Sequence, residues 1–360
     1  MSAEPYDVAI CGAGPAGCAA AISAARRGAR VLLLERGRYP RQKVCGEFLS
    51  PEGVALLRQL DPMLPQELFQ DGLQITCARL FVDRKCVQVP LESAAASVTR
   101  YALDHALWRS AIRTGADCRQ QVTVTSVHSS SLASNAGEFE AKSVIVSAGR
   151  WSNLRQPNHK RTAPDGYIGL KAHFAEKEPP SSVDLYFFSG GYCGVQAVGP
   201  GRVNVCAVAR ASIARALTDV FPLNVALRER SRSWSLLEGP ISTAQLVFGK
   251  PVPVDDGLIY VGDAAGFIDP FVGDGISLAL RSGVIAAECL ACVWREGATV
   301  ADAAQQYATR YRKQLAPLFR NAALLRRMTS LNATLQSNAV TAMQIPSIAR
   351  WVLSSTRASA

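Results

Sequence analysis

The first part of the chain alternates apolar runs with an Ala-rich segment. Residues 6–11 are mostly apolar and predict a buried strand, residues 18–27 predict a helix, and residues 31–34 predict a second strand that ends at Glu35. A glycine-rich turn joins the first strand to the helix. This order of elements is typical of a βαβ unit in a doubly wound α/β fold.

The turn has the chemistry of a pyrophosphate cradle. Gly12 permits a tight turn, Gly14 lets the backbone approach a phosphate, and Gly17 lets helix and strand pack closely. The helix N-terminus offers free N–H groups, and Glu35, 18 residues after Gly17, can accept hydrogen bonds from a ribose. Glu35 would repel a 2′-phosphate. The predicted cofactor residues here are Gly12, Gly14, Pro15, Ala16, Gly17, Glu35 and Arg36.

A second glycine-rich turn lies far along the chain. Residues 258–261 predict a short strand, and residues 276–294 predict a helix. Asp263 at the strand end can bind a polyol hydroxyl, and glycines before a helix let a flat ring lie close to backbone. If that flat ring is a flavin, the dipole of the helix that follows would stabilise the negative charge of its reduced form. The predicted cofactor residues here are Gly262, Asp263, Gly273, Gly275 and Ile276.

These motifs together resemble the FAD-binding fold of para-hydroxybenzoate hydroxylase and its relatives. Residues 147–155, after a predicted strand at 142–146, are similar to a third element of that superfamily, with Ala148 where the family often has Asp. The resemblance covers roughly residues 1–300 and implies one FAD held by both turns. It extends the predicted cofactor site to Cys45, Gly46, Arg100, Val122, Ala148 and Gly149.

Within the superfamily, three segments resemble the geranylgeranyl reductase branch. They are residues 43–51 with the pair Cys45-Gly46, the pattern Arg100-x-x-x-Asp104-x-x-Leu107, and residues 190–194 with Tyr192. The Trp that follows in that branch is absent, since Gly194 stands there, which argues against the branch's long isoprenoid substrate. The Trp-x-Trp-x-Ile-Pro signature of flavin halogenases is also absent, which disfavours halogenation.

The predicted fold class is therefore α/β, a Rossmann-like FAD domain with an inserted antiparallel-sheet substrate domain and a C-terminal helical segment. We assign residues 1–75, 98–158 and 252–300 to the FAD domain, and 76–97 and 159–251 to the substrate domain. Strand-like runs at 80–82, 167–174, 183–188 and 203–208 indicate a sheet over the flavin. Residues 301–360 form the C-terminal segment, with helices predicted at 302–327 and 347–356.

Composition narrows the function class. Of 360 residues, 48% are apolar and 19% charged, as in globular proteins. Glycines and a proline interrupt the apolar stretch 8–25, and no signal-peptide pattern is evident, so we expect a cytoplasmic protein without a transmembrane span. The ten cysteines show no zinc-ligand spacing, and we predict no metal and no nucleic-acid partner. Residues 301–360 carry a net charge of +7. This charge either belongs to a solvated helix face or attracts an anionic cofactor, an acidic carrier protein or a membrane surface.

Three functions fit these motifs. The first is a reductase or dehydrogenase that moves hydride through FAD to or from a carbon–carbon bond of a lipophilic or carrier-linked molecule. The second is a flavin monooxygenase, and the third is a non-catalytic FAD-binding protein. No second glycine triplet follows a strand, so a nicotinamide donor, NAD(P)H, would bind transiently, or electrons would come from another protein. Cys45 is a candidate gate or proton donor beside the flavin, and Lys43, His173 and Tyr192 are candidate substrate residues.

Overall fold

The computed structural model describes residues 4–69, 74–150, 154, 166–327, 333–345 and 347–348. Two sheets dominate these residues. The first contains β1 (Tyr6–Cys11), β2 (Val31–Glu35), β6 (Asp117–Gln120), β7 (Val124–Val127), β8 (Ser131–Ser134), β9 (Gly137–Val146), β15 (Val254–Asp255) and β16 (Leu258–Tyr260). The second contains β3 (Phe48–Leu49), β4 (Gln74–Val82), β5 (Lys85–Ser97), β10 (Tyr167–Ala175), β11 (Ser182–Phe188), β12 (Gly191–Gly199), β13 (Arg202–Arg210) and β14 (Ser235–Ser242).

Helices connect and cover the sheets. The described helices are α1 (Pro15–Arg26), α2 (Pro51–Leu60), α3 (Met63–Leu68), α4 (Arg100–Arg113), α5 (Val225–Arg230), α6 (Gly275–Glu296), α7 (Val300–Gln314), α8 (Ala316–Arg326) and α9 (Ala333–Ala342). Some of them begin at a side-chain cap: Ser50 accepts from the N–H of Gly53, and Thr99 accepts from that of Ala102. The predicted helix at 347–356 lies mostly outside the described residues.

The first sheet is the predicted dinucleotide-binding sheet. Its strand order is β15-β16-β9-β1-β2-β6, and all pairs from β16 to β6 are parallel. Its central strands read as near-continuous apolar runs, such as the fully buried β2, because helices cover parallel strands on both faces. Parallel strands place their carboxyl ends at one edge, so the turns after β1, β9 and β16 meet there.

The second sheet has the order β14-β10-β13-β12-β11-β4-β5-β3. Its pairs are antiparallel except β4 with β11, so the inserted sheet contains one parallel pair. The strand β3 at Phe48–Leu49 joins this sheet by pairing with β5, so the chain enters it earlier than the predicted insertions begin. The division into domains at the predicted boundaries stays a prediction.

Helix α6 is the described helix with the length and hydropathy of a membrane span, rather than the stretch 8–25 that stood out in the sequence. Most of its apolar window, 67%, is buried. It packs directly on α1: a Cβ at Gly283 would lie 2.2 Å from the carbonyl oxygen of Ala16. These contacts are those of a core helix.

We predict that Gly283→Ala destabilises the protein. The added methyl group would strike backbone of α1 at Ala16 and approach Ala20 N to 3.0 Å, and such overpacking typically costs ~1–3 kcal/mol. The gain in helix propensity, ~1 kcal/mol, offsets only part of this. Urea unfolding measures the change. Gly249→Ala is the matched control, since nothing lies within 4 Å of its Cβ position; equal stability of both variants would contradict the packing.

Candidate functional site

Three glycines fix where the turns of the first sheet meet. A Cβ on Gly12 would lie 2.6 Å from the carbonyl oxygen of Ser147, after β9. A Cβ on Gly17 would lie 1.9 Å from the oxygen of Gly12, and one on Gly262, after β16, would lie 2.8 Å from the Cβ of Ala16. Distances under 3.0 Å leave no room for a side chain. The segments 12–17, 147–149 and 262–263 therefore converge at the first turn of α1.

Gly14 differs from these glycines because its Cβ position is open, with no atom within 4 Å. It is the N-cap of α1, Pro15 follows at the start of the helix, and no side chain caps this end. The free N–H groups of the first turn and the positive end of the helix dipole therefore face a space that a Cβ would fill. This is the geometry that binds a pyrophosphate.

Glu35 lies at the end of β2 beside this cradle and is buried. Its carboxylate accepts hydrogen bonds from the N–H of Ala13 at 3.0 Å and of Gly37 at 2.8 Å. Arg41 binds both of its oxygens, at 2.7 and 2.9 Å. Val122 donates its N–H to the Glu35 carbonyl at 3.0 Å. Thus the Glu35 carboxylate is held by three partners, while Arg36, next in sequence, is exposed.

Cationic side chains lie around Asp263, which follows β16. Arg150 lies 3.7 Å from Asp263, and its Nη1 is buried without a hydrogen-bond partner among the described residues. Arg100 forms a bidentate ion pair with Asp104, at 2.7 Å for both bonds. Burial raises the pKa of Asp263, and the charges of Arg150, Arg100 and Lys43 oppose the rise. A phosphate-bearing ligand would complete this cluster.

The residues of the third predicted element lie only partly within the described chain. Ala148 and Gly149 follow β9 and are half-buried, and Gly149 has φ 76 with open space at its Cβ position. The positions 151–153 and 155 of this element lie outside the described residues.

The turn before α6 forms the distal part of the groove. Asp269 accepts a hydrogen bond from the N–H of Phe271, and burial raises the pKa of Asp269 to about 6. Gly273 has φ 66, and its Cβ would lie 3.0 Å from the ring of Phe48. Helix α6 then begins at Gly275, so Ile276 is in its first turn.

The Cys45 loop, residues 43–50, contacts this turn directly. Ser50 Oγ donates to the Asp274 carboxylate at 2.9 Å and lies 2.8 Å from Ser277 Oγ. Cys45 is half-buried, and its sulfur accepts the N–H of Glu47 at 3.3 Å. The contacts with the turn before α6 are made by Phe48 and Ser50, and the assignment of Cys45 and Gly46 to the cofactor stays a prediction.

His173 does not face an open site. Its side chain is completely buried on β10, with Nε2 2.7 Å from Glu47 Oε2 and Nδ1 3.2 Å from Glu238 Oε2. The expectation that it binds substrate directly is therefore replaced by a role inside the protein, because carboxylates occupy both ring nitrogens.

Tyr192 lies on β12 facing the distal turn. Its ring is 5.5 Å from that of Phe271, and its hydroxyl is buried without a partner among the described residues. Phe187 lies 5.5 Å from the same Phe271 ring. The neighbouring buried side chains include Val208 and Leu246. An apolar surface of the second sheet therefore meets the turn before α6.

Sequence reasoning missed the residues that hold the Cys45 loop. Lys171 Nζ lies 2.5 Å from Glu47 Oε1, and both side chains are fully buried. Asn204 donates to the carbonyl oxygens of Cys45 at 3.1 Å and Gly46 at 2.8 Å. A lysine in an otherwise apolar strand was the available signal, since a buried lysine needs a partner.

Comparison with known proteins finds FAD-dependent oxidoreductases and named reductases. Residues 7–44 match the family model described as FAD dependent oxidoreductase. The chain is 29% identical over 324 residues to menaquinone reductase of Mycobacterium tuberculosis, covering 80% of this chain and 77% of the relative. It is also 29% identical over 336 residues to digeranylgeranylglycerophospholipid reductase of Methanocella arvoryzae, covering 86% and 83%.

Solved structures share the fold. A geranylgeranyl bacteriochlorophyll reductase-like protein from Thermoplasma acidophilum matches with TM-score 0.79 and 21% identity, covering 98% of this chain and 96% of that one. A flavin-dependent brominase matches with TM-score 0.80 and 20% identity, covering 98% and 93%. The predicted α/β fold, the resemblance and the prediction of an FAD-dependent oxidoreductase are thus confirmed.

We predict that Glu35→Lys yields protein without flavin. The lysine would remove the ribose acceptor and place a like charge beside Arg41, which binds Glu35 at 2.7 Å. Absorbance of the purified protein measures flavin occupancy. Glu138→Lys, at an exposed position of β9, is the control and keeps its flavin. Full occupancy in Glu35→Lys would show that Glu35 does not bind the cofactor.

We further predict that FAD affinity falls in alkaline solution. Burial, together with the charges of Arg41 and Arg100, lowers the pKa of Lys43 from 10.5 to about 8. A bound diphosphate raises that pKa, so binding above pH ~8 must take up a proton and weakens by up to about tenfold per pH unit. Below pH ~8 Lys43 is already charged in the free protein, so the affinity for FAD does not change with pH there.

Fluorescence titration of the cofactor-free protein between about pH 7 and about pH 9.5 measures this dependence. Lys43→Arg is the matched variant, because arginine stays charged throughout. Its affinity should hardly change over this range. An equally steep loss of affinity in both proteins would remove Lys43 from the phosphate site.

Proposed function

We propose that this protein is an FAD-dependent reductase that adds hydrogen across a carbon–carbon double bond of a lipophilic small molecule. The observation that carries the proposal is the meeting of two features at the turn before α6. Phe48, from the Cys45 loop, contacts Gly273, and the aromatic surface of the second sheet contacts Phe271. A double bond on an apolar chain would lie between a thiol and the flavin there.

The residues present fit FAD along its length. Glu35 would hold the ribose, and the first turn of α1 at Gly14 would hold the pyrophosphate with Lys43 and Arg150. The flavin would lie against the turn at Gly273. When bound, FAD supplies the hydride. The protein orients it, excludes water with the second sheet, and offers the Cys45 thiol proton to the substrate carbon that does not receive hydride.

The relatives support the class of substrate. Two of them are named as reductases of a menaquinone and of a digeranylgeranylglycerophospholipid, so we infer a lipid or polyisoprenoid-like substrate despite Gly194. We propose NAD(P)H as a transient electron donor, since no second glycine triplet follows a strand. We propose that residues 1–75, 98–158 and 252–300 bind FAD, that the insertions bind substrate, and that the protein works in the cytoplasm, where its basic C-terminal segment contacts the membrane surface.

We predict that the purified protein is yellow and that NADPH or NADH bleaches it without oxygen. A digeranylgeranyl lipid, which has no quinone ring to take the electrons, should then restore the oxidised spectrum anaerobically, with the product gaining two hydrogen atoms by mass spectrometry. Cys45→Ala should keep its flavin and its reduction by the donor but lose roughly 10²-fold in reoxidation by substrate, the scale of general-acid catalysis.

Cys86→Ala, at an exposed thiol of β5, is the control and should behave as wild type. A product that gains oxygen, formed only in air, would identify a monooxygenase instead. A flavin that no nicotinamide or chemical donor reduces would favour the non-catalytic FAD-binding alternative.

A further inference from the structure

Strand β12 has one open position in its interior. All its residues are buried except Gly194 and the terminal Gly199, which are half-buried. A glycine inside a strand weakens the strand, because it has no side chain to pack and loses more conformational freedom on folding than any other residue. Such a glycine often marks a bulge, a bend, a close approach of another backbone, or a bound ligand. The geometry at Gly194 separates these causes.

Neither a bulge nor a close backbone contact explains Gly194. It pairs with Leu185 on β11 and with Cys206 on β13, and both registers are regular at this position. An added Cβ would lie 3.6 Å from Leu185 Cδ2 and 3.7 Å from the carbonyl oxygen of Cys206, which are ordinary van der Waals contacts. At Gly191, by contrast, a Cβ would lie 2.3 Å from the carbonyl oxygen of Val208. Packing therefore requires glycine at position 191 but not at 194.

The open position continues into the neighbouring strands. Cys206 is the one half-buried residue in the interior of β13, and Leu185 is half-buried on β11. Residues paired across strands lie on the same face of a sheet, so Cys206, Gly194 and Leu185 form a row, which we call the Gly194 recess. The paired residues on both sides of this row are buried: Val208, Tyr192 and Phe187 on one side, and Asn204 and Gln196 on the other.

The Gly194 recess lies on the face of the second sheet that meets the candidate site. On one side of it, Asn204 donates to the carbonyl oxygen of Cys45 at 3.1 Å. On the other side, the ring of Tyr192 lies 5.5 Å from that of Phe271, in the turn before α6. Residues two apart on a strand share a face, so the recess lies between the Cys45 loop and this turn.

The shape and lining of the recess suit an apolar chain. Residues on one face of a strand are about 7 Å apart, and neighbouring strands are about 4.8 Å apart. The recess is therefore about one side chain wide and roughly 10 Å long from Cys206 to Leu185. A thiol, a glycine backbone and a leucine line it. Lys171, which pairs with Cys206 on β10, is held by Glu47 and leaves the row without a free charge.

We propose that the Gly194 recess receives the apolar chain of the substrate next to its reacting double bond, and that the missing side chain at Gly194 determines which chains fit. The proposal rests on the proposed function, which brings a lipophilic substrate to this face. With glycine at position 194, a chain can lie across the strands from Cys206 to Leu185. A large side chain there would divide the recess. Gly194 is therefore a specificity-determining residue and takes no part in the chemical step.

Gly194→Leu tests the subsite by filling it. The probe is a tritium-labelled diphytanylglycerophospholipid in detergent, because this saturated lipid can bind the oxidised, FAD-loaded protein but cannot react. Its dissociation constant should rise about tenfold or more in Gly194→Leu, since the leucine side chain occupies the space of the lipid chain. Gly199→Leu is the matched control on the same strand, where the nearest atom to an added Cβ is 3.9 Å away, and it should bind the lipid as wild type does.

Gly194→Ala separates a substrate role from a structural one. The added methyl group fits, and alanine restricts the unfolded chain more than glycine does. The urea midpoint should therefore equal or exceed that of wild type, with flavin content unchanged. A lower midpoint or lost flavin would show that the fold itself needs this glycine and would overturn the proposal. Gly194→Val, whose side chain suits a strand, repeats the lipid-binding test if Gly194→Leu lacks flavin.

The outcomes separate this subsite from the proposed function. Equal lipid affinity in wild type and in the filled variant overturns the subsite, and so does a wild-type protein that does not bind the saturated lipid. If lipid binding depends on Gly194 but a digeranylgeranyl lipid leaves the reduced flavin unoxidised without oxygen, the subsite stands and the proposed function fails.

Discussion

The close approach of three turns at the first turn of α1 is the constraint on which the site depends. An added Cβ at Gly12, Gly17 or Gly262 would lie less than 3 Å from a neighbouring atom, so β1, β9, β16 and α1 pack closely at this point. That packing directs the free N–H groups of α1 into the groove and leaves Gly14 open above them. Close packing at these three glycines thereby forms a cradle at Gly14 from backbone groups rather than from a binding side chain.

A buried carboxylate links this cradle to the second sheet. Glu47 has φ 60, a conformation that costs a non-glycine residue about 1–2 kcal/mol. This backbone conformation is stabilised because the Glu47 carboxylate accepts hydrogen bonds from Lys171 and from the N–H of Arg100, at 2.8 Å, and contacts His173. Removing one partner would leave a charge buried and unpaired, a costly state. The Cys45 loop is therefore fixed by the sheet above it rather than by its own sequence.

Much of the fold and the cofactor groove could be predicted because the signals are local. The triplet, Glu35 and the turn before α6 each combine glycine spacing with a strand and a helix, and the predicted strands 80–82, 167–174, 183–188 and 203–208 lie inside β4, β10, β11 and β13. The strand β14 escaped prediction because it is exposed along much of its length and includes a Gly-Pro pair. It is a strand only because β10 pairs with it.

The inner contacts could not be predicted because they join residues far apart in sequence. His173 and Glu47 are separated by 126 positions, and no periodicity in either segment reveals the partner. The sequence places a histidine and a lysine two residues apart on one strand, so both point to the same face. Whether that face is buried against a partner depends on Glu47, and the Glu47 carboxylate is positioned by the Cys45 loop, in which Glu47 itself has φ 60. Tertiary packing, rather than local sequence pattern, therefore determines which ionisable groups meet. It places Glu47, Lys171 and His173 in a region that apolar side chains could otherwise fill.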